Sequence, residues 1–141
     1  MPNNDKGIMK KIYDLIPLIQ KTTKMSLDQH KKLFPPDLAH IRIDRRHLKK
    51  VYKFFRGKWT LEIIYLIDVL GSPHYNELKK ALTGISSRIL TDRLRFLEKG
   101  GFIQKIIHED IRPIGISYKL SEFGEGFYHL FIPLFLYLKS S

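Results

Sequence analysis

The segment Tyr75-Asn-Glu-Leu-Lys-Lys-Ala-Leu-Thr-Gly-Ile-Ser-Ser-Arg-Ile-Leu-Thr-Asp-Arg-Leu-Arg-Phe-Leu-Glu-Lys99 reads as two short amphipathic helices folded about a tight corner. Residues 75–82 form the first helix, Thr83-Gly84 turn the chain, and Ser86 opens a second helix to Lys99. In the second, Ile89, Leu90, Leu94 and Leu97 are expected to face inward. Ser87, Arg88, Thr91, Asp92 and Arg95 are left largely outside. A glycine at the corner lets two helices bend sharply enough to share one small core, which is the requirement of a helix-turn-helix.

The flanking sequence extends this unit on both sides. Gly100-Gly101 supply a left-handed helix stop. Phe102–Ile107 and Ile116–Leu120 alternate as two strands around a polar loop, residues 108–115, and pair as a hairpin. Ser121 then caps a final helix, Glu122 to about Lys139, that is apolar nearly all round at Phe127, Leu130, Phe131, Leu134, Phe135 and Leu138. A terminal helix this apolar needs a cover, and a second copy of the chain is the expected one. Upstream, residues 59–70 form a helix apolar enough to be buried, broken by Gly71-Ser72-Pro73. Asp44 is placed to cap a helix with Leu48, Val51, Tyr52 and Phe55 on one face and Arg45, Arg46, Lys49, Lys50 and Lys53 on the other. Asp5 is placed to cap a first helix carrying Ile8, Ile12, Leu15, Ile16 and Ile19, which Pro17 should kink or end. Ser26-Leu-Asp-Gln29 resembles a capping box for a short second helix, stopped by Pro35-Pro36.

Composition narrows the function. The 141 residues suffice for one modest core, and hydrophobic residues at 43% with charged residues at 28% are ordinary for a folded protein. No cysteine is present, which excludes disulfides, thiolate metal sites and a cysteine nucleophile. The net charge of +11 favours a polyanionic partner. It is uneven: residues 1–57 hold 14 Lys and Arg against 5 Asp, whereas residues 58–141 hold 11 against 9 acids. No secretory signal opens the chain and its longest apolar stretch, 126–138, is too short for a membrane span, so an intracellular, cytoplasmic protein with no membrane partner is expected.

Four motifs in order resemble the HxlR family of winged-helix transcriptional regulators: Arg56-Gly-Lys-Trp-Thr60, Tyr75-Asn-Glu-Leu78, Gly84 through Glu98, and Tyr118-Lys-Leu-Ser-Glu-Phe-Gly124. The resemblance covers about residues 45–138 and implies a homodimer that binds operator DNA. Many members carry a cysteine near the start of the helix that holds Arg46 and His47 here, so cysteine-based sensing is excluded for this chain. Residues 1–43 lie outside the resemblance.

The candidate DNA-binding residues are Ser86, Ser87, Arg88, Thr91, Asp92 and Arg95 on the second helix of the motif, Arg112 in the hairpin loop, and Lys58, Lys79 and Lys80 as phosphate contacts that set register. For Arg88 the DNA contact is the favoured reading, whereas others have a plainer one. Ser86 is better explained as a helix cap, Arg95 can pair with Glu98 or Asp92, and Glu109 and Asp110 beside Arg112 would repel phosphate. Arg93 falls near the flank of the buried face, where a phosphate contact and a salt bridge are equally open, and Trp59 belongs to the core. The aromatic residues Phe54, Phe55, Tyr65, Phe127 and Tyr128 could line a ligand pocket but at helical spacing are core, so no effector is assigned. His40, Asp44 and His47 have the spacing of metal ligands on one helical face, but a cap at Asp44 would interrupt that helix, so no metal is expected; neither is a cofactor. No nucleophile motif, phosphate-cradling loop or metalloprotease pattern occurs, and the chain is not read as an enzyme.

The sequence therefore predicts an α+β winged helix-turn-helix with a two-stranded wing, a basic helical N-terminal extension over residues 1–43, and a DNA-binding domain over residues 44–141 ending in a dimerisation helix. The expected function is sequence-specific recognition of double-stranded DNA by a homodimer, with residues 86–99 in the major groove and 108–115 on the flanking backbone or minor groove. A weakly specific architectural DNA-binding protein and a winged-helix protein-interaction module are the alternatives.

Overall fold

The computed structural model describes residues 2–55 and 57–140, with side chains from Gly7 onward. The elements run α1 (Pro2–Leu33), α2 (Leu38–Phe55), α3 (Thr60–Leu70), α4 (Tyr75–Ala81), α5 (Ser87–Lys99), β1 (Ile103–His108), β2 (Gly115–Leu120) and α6 (Glu122–Lys139). Packing divides the chain into two compact units, Tyr52–His129 and the residues on either side of it. Helices α2 and α6 each run from one unit into the other, and α2 passes through the boundary expected at residues 43 and 44.

Tyr52–His129 holds the helix-turn-helix and wing. Its core is built from Ile63, Ile64 and Ile67 of α3, Leu78 of α4, Leu82 and Ile85 of the corner, Leu90, Leu94 and Leu97 of α5, and Ile103, Tyr118 and Leu120 of the hairpin, all buried. Helix α3 is buried on one face only, with Tyr65, Val69 and Leu70 exposed, contrary to the burial expected of the whole helix. A core this small covers one side of an eleven-residue helix. Ile89 is also exposed rather than inward: at 100° per residue it lies beyond the arc set by Leu90, Leu94 and Leu97.

The chain leaves α5 by a double hydrogen-bonded stop. Gly101 N–H donates to the Glu98 carbonyl at 3.0 Å and Phe102 N–H to the Leu97 carbonyl at 2.9 Å. Gly101 alone adopts the left-handed conformation, φ 81, whereas Gly100 stays right-handed. The strands β1 and β2 then pair antiparallel from Ile103↔Leu120 to His108↔Gly115. Ser121 caps α6 as expected, its Oγ accepting from the Gly124 amide at 2.9 Å, and its own N–H donates to the Phe102 carbonyl at 3.0 Å. The Phe102 ring packs at 4.4 Å from Phe54, 5.0 Å from Phe123 and 5.5 Å from Phe127, centroid to centroid.

The N-terminal helices differ from expectation. Helix α1 is continuous through Pro17, so Pro17 does not end it, Ser26 lies inside it and caps nothing, and Asp5 is a helical residue rather than its cap. A proline removes one intrahelical bond, but the Lys, Leu, Ile and Gln residues around it favour helix and carry the turn across. The helix stops at Leu33, just before Pro35-Pro36. Helix α2 begins seven residues earlier than a cap at Asp44 would allow. Asp37 is the cap, its Oδ1 accepting from the His40 amide at 3.0 Å.

The same carboxylate meets the His40 ring, Oδ2 to Nδ1, at 2.6 Å. Hydrogen bonds from the His40 amide and ring hold the Asp37 carboxyl below its ordinary value of 3.8, and the bond to Asp37 raises His40 above 6.5. The Asp37 contribution to stability is present above 3.8 and is lost as pH falls through the lowered folded value. The His40 contribution is full below 6.5 and is lost as pH rises through the raised folded value. The pair is therefore strongest between about pH 4 and 6.5. Asp37→Asn should move the His40 titration followed by NMR back toward an ordinary imidazole; an unmoved midpoint contradicts the pairing.

A Cβ placed on Gly124 would run into the Phe102 carbonyl, whereas one on Gly126 of the same helix meets nothing within 4 Å. Gly124→Ala should cost about 1–3 kcal/mol in chemical denaturation, and Gly126→Ala should stabilise by up to about 1 kcal/mol through helix propensity. Equal effects of the two would show that α6 does not approach the Phe102 backbone this closely.

Candidate nucleic-acid interface

The corner between α4 and α5 is set by local chemistry. His74 opens α4, its amide donating to Glu77 Oε1 at 3.1 Å. Gly84, at φ 91, makes the turn, and Ile85 N–H donates to the Leu82 carbonyl at 3.0 Å. Ser86 caps α5, its Oγ accepting from the Ile89 amide at 3.1 Å. That hydroxyl is committed to the helix start, which is the plainer of its two expected roles.

Tyr75 fastens the two helices together. Its hydroxyl donates to the Ser87 carbonyl at 3.1 Å and lies 3.2 Å from Thr91 Oγ1. Thr91 is accordingly half-buried, while Ser87, Arg88, Asp92 and Arg95 are exposed. Helical spacing puts Arg88, Asp92 and Arg95 within one arc, opposite the buried Leu90, Leu94 and Leu97. A guanidinium pair and one carboxylate thus stand on the open side of a helix whose other side is locked into the core. Tyr75 was not among the residues expected at the site, because its partners are brought to it by the fold and lie 12 and 16 residues away.

A small depression beside this arc is lined by Tyr75, Thr91, Arg95, Glu98, Lys105 and Tyr118, among others. Burial, with the neighbouring Glu98 carboxylate adding to it, pushes the Tyr118 phenol above its usual value. Tyr118 therefore stays neutral at physiological pH beside the Arg95 guanidinium.

The remaining candidates are spread around the same unit. Arg112 Nη1 donates to the carbonyls of Glu109 at 2.7 Å and Ile111 at 3.3 Å, so its guanidinium braces the hairpin loop. Lys58 Nζ sits 4.5 Å from the centre of the Trp59 ring. Trp59 is half-exposed rather than core and adopts φ 126, a strained conformation for a bulky residue. Lys79 and Lys80 occupy the last turn of α4, Lys79 half-buried and Lys80 exposed. Arg93 lies against the backbone of Gly57, where a Cβ would collide with its guanidinium; Gly57 has φ 101 and leaves room for it. Arg56 of the sequence motif lies outside the described residues.

Among the α6 residues expected at a dimer interface, the Phe127 ring packs 4.8 Å from Phe54, Phe131 lies 6.2 Å from Phe135, and Leu130, Leu134, Phe135 and Leu138 are exposed. His40, Asp44 and His47 do lie on one continuous helix, α2, because the cap is Asp37. Among the described residues, no group of three His, Asp or Glu side chains is placed to hold a metal ion, and no helix is long and apolar enough to cross a membrane.

Residues 54–140 match the model of the HxlR-like helix-turn-helix family. The chain is similar to two HTH-type transcriptional regulators of Bacillus subtilis (strain 168). It is 39% identical to YdeP over 69 residues, covering 48% of this chain and 52% of YdeP. It is 35% identical to YtcD over 70 residues, covering 50% of this chain and 54% of YtcD. The chain thus spans about half the length of these curated relatives. Among solved structures it resembles a MarR-family transcriptional regulator from Porphyromonas gingivalis W83, with 35% identity, a TM-score of 0.54, and 62% of this chain and 83% of that chain covered. It also resembles a MarR-family regulator from Enterococcus faecalis V583, with 26% identity, a TM-score of 0.60, and 76% and 90% covered. These likenesses agree with the winged helix-turn-helix built above.

Tyr75→Phe removes the hydroxyl that joins α4 to α5 while keeping the ring. The variant should lose about 0.5–1.5 kcal/mol in denaturant unfolding. An unchanged midpoint would show that the tie contributes nothing.

Proposed function

This chain belongs to the HxlR-like helix-turn-helix family, and from that premise we propose that it is a homodimeric transcriptional regulator that recognises a specific double-stranded DNA sequence. The observation that carries the reading is the exposed arc of α5. Arg88, Asp92 and Arg95 project from a helix rigidly held by its cap, its buried leucines and the Tyr75 tie. A helix so mounted enters a major groove as one body, and arginine suits the O6 and N7 acceptors of guanine. Ser87 adds an exposed hydroxyl near the helix start, and the Thr91 hydroxyl, also a candidate, is engaged with Tyr75. Lys58, Lys79 and Lys80 would hold phosphates and fix register, and the loop braced by Arg112 would lie along the flanking backbone or minor groove.

Exposed Leu130, Leu134 and Phe135 on α6 support a second copy as the partner of that helix. Two α5 helices would then meet one face of a pseudo-palindrome, with half-sites about one helical turn, roughly 34 Å, apart. In this reading residues 44–141 are the DNA-binding domain and residues 1–43 a basic extension. The chain acts in the cytoplasm by binding and performs no catalysis.

The test is selection of bound fragments from sheared genomic DNA in excess nonspecific competitor, read by sequencing. A pseudo-palindromic motif is expected, and Arg88→Ala should weaken binding to it by about 1–3 kcal/mol and relax the preference at one position. Uniform recovery without a motif, with Arg88→Ala indistinguishable from the parent, would replace sequence recognition by the architectural reading that the basic first 57 residues favour.

A further inference from the structure

Helix α2 carries six cations, Arg42, Arg45, Arg46, Lys49, Lys50 and Lys53, and every one is exposed. At 100° per residue they fall within about 140° of the helix circumference. The helix's one carboxylate, Asp44, lies outside this arc, on the side of His40, whose charge it favours. Among the described residues, no carboxylate forms an ion pair with any of the six; the pairs present are Lys10–Asp14 and Asp37–His40. Arg42, Arg45, Arg46 and Lys49 also frame a shallow depression on the surface. Six like charges so close together repel one another, and a polyanion relieves that repulsion.

We propose that this arc is a second nucleic-acid surface, which grips the sugar–phosphate backbone of duplex DNA; it rests on the DNA-binding reading above. Arg42, Arg46, Lys49 and Lys53 form its central stripe, about 16 Å long at 1.5 Å per residue. Each strand of duplex DNA presents one negative charge per about 3.4 Å of axis, so a length equal to the stripe carries about five phosphate charges on one strand, enough to engage its four cations. Such contacts add affinity without reading bases. An anionic lipid surface is the other polyanion such an amphipathic helix suits, because its apolar arc of Ile41, Leu48, Val51 and Tyr52 is exposed beside the cations. Duplex DNA is the favoured occupant because the same chain carries the exposed α5 arc, and vesicle binding is an outcome of the test.

Binding of a labelled duplex is measured between about 50 and 200 mM salt for the full chain, for the variant Arg42→Gln, Arg46→Gln, Lys49→Gln, Lys53→Gln, and for Arg42→Lys, Arg46→Lys. Glutamine keeps helix propensity close to that of arginine and lysine, and circular dichroism checks that the fold is retained. The slope of log K against log salt should flatten by about 3 to 4 in the glutamine variant, at about 0.9 per lost contact. The ratio of affinities for selected and scrambled duplexes should stay that of the parent, and the lysine variant should keep the parent slope. A parent that binds duplex DNA and a folded glutamine variant with an unchanged slope would overturn the α2 surface alone. The same holds if the slope is unchanged while the glutamine variant loses binding to phosphatidylserine vesicles, which would assign the arc to lipid. A parent that binds no duplex of any sequence would overturn the regulator reading and this surface together.

Discussion

The backbone of Phe102 is the point on which the winged helix depends. Its N–H closes α5 through the Leu97 carbonyl, and its own carbonyl receives the Ser121 amide at the start of α6. The close approach of Gly124 to that carbonyl leaves no room for a side chain on α6 at this position. Its ring joins Phe54, Phe123 and Phe127 in one aromatic cluster. One residue therefore ends the helix of the candidate interface, begins the wing and seats the terminal helix. Displacing it would alter three elements at once, among them the end of the helix that carries the exposed arc.

Rigidity matters because readout of base edges is geometric. An arginine on a loosely held helix gives up entropy each time it binds, whereas one on a fixed helix has its direction set beforehand. The Ser86 cap, the Tyr75 tie and the double hydrogen-bonded stop fix α5 at its start, middle and end. The division of roles follows. Residues that hold α5 are buried or engaged, whereas Arg88, Asp92 and Arg95 are exposed. In α2 the cations are carried by an exposed helical arc without base-reading geometry, which suits contacts that need charge more than direction.

Much of the helix-turn-helix and wing was legible because local chemistry and tertiary packing agree there. Gly84, Ser86, Gly101 and Ser121 each mark a boundary through a specific backbone need, and each boundary falls within a residue or two of the expected place. The failures occur where two local signals compete. Asp37 and Asp44 are both capable caps; the former wins because it follows Pro35-Pro36, where the helix can start, and the signal was present in the sequence. Pro17 is a breaker by rule, yet the helix-favouring residues around it outweigh one lost hydrogen bond. Ile89 is apolar and was assigned inward, but the core arc of α5 is only wide enough for its three leucines. The Tyr75 hydroxyl contacts and the packing of Arg93 over Gly57 are products of tertiary assembly, and no spacing rule reaches them.

The central claim is that the open arc of α5 meets a duplex. Mapping backbone amide shifts by NMR, as a selected pseudo-palindromic duplex is titrated into the labelled chain, tests it most directly. The account predicts that Ser87, Arg88, Asp92 and Arg95 shift most and that the change saturates at one duplex per two chains. Saturable binding that leaves α5 unmoved, with all shifts on another face, would contradict it.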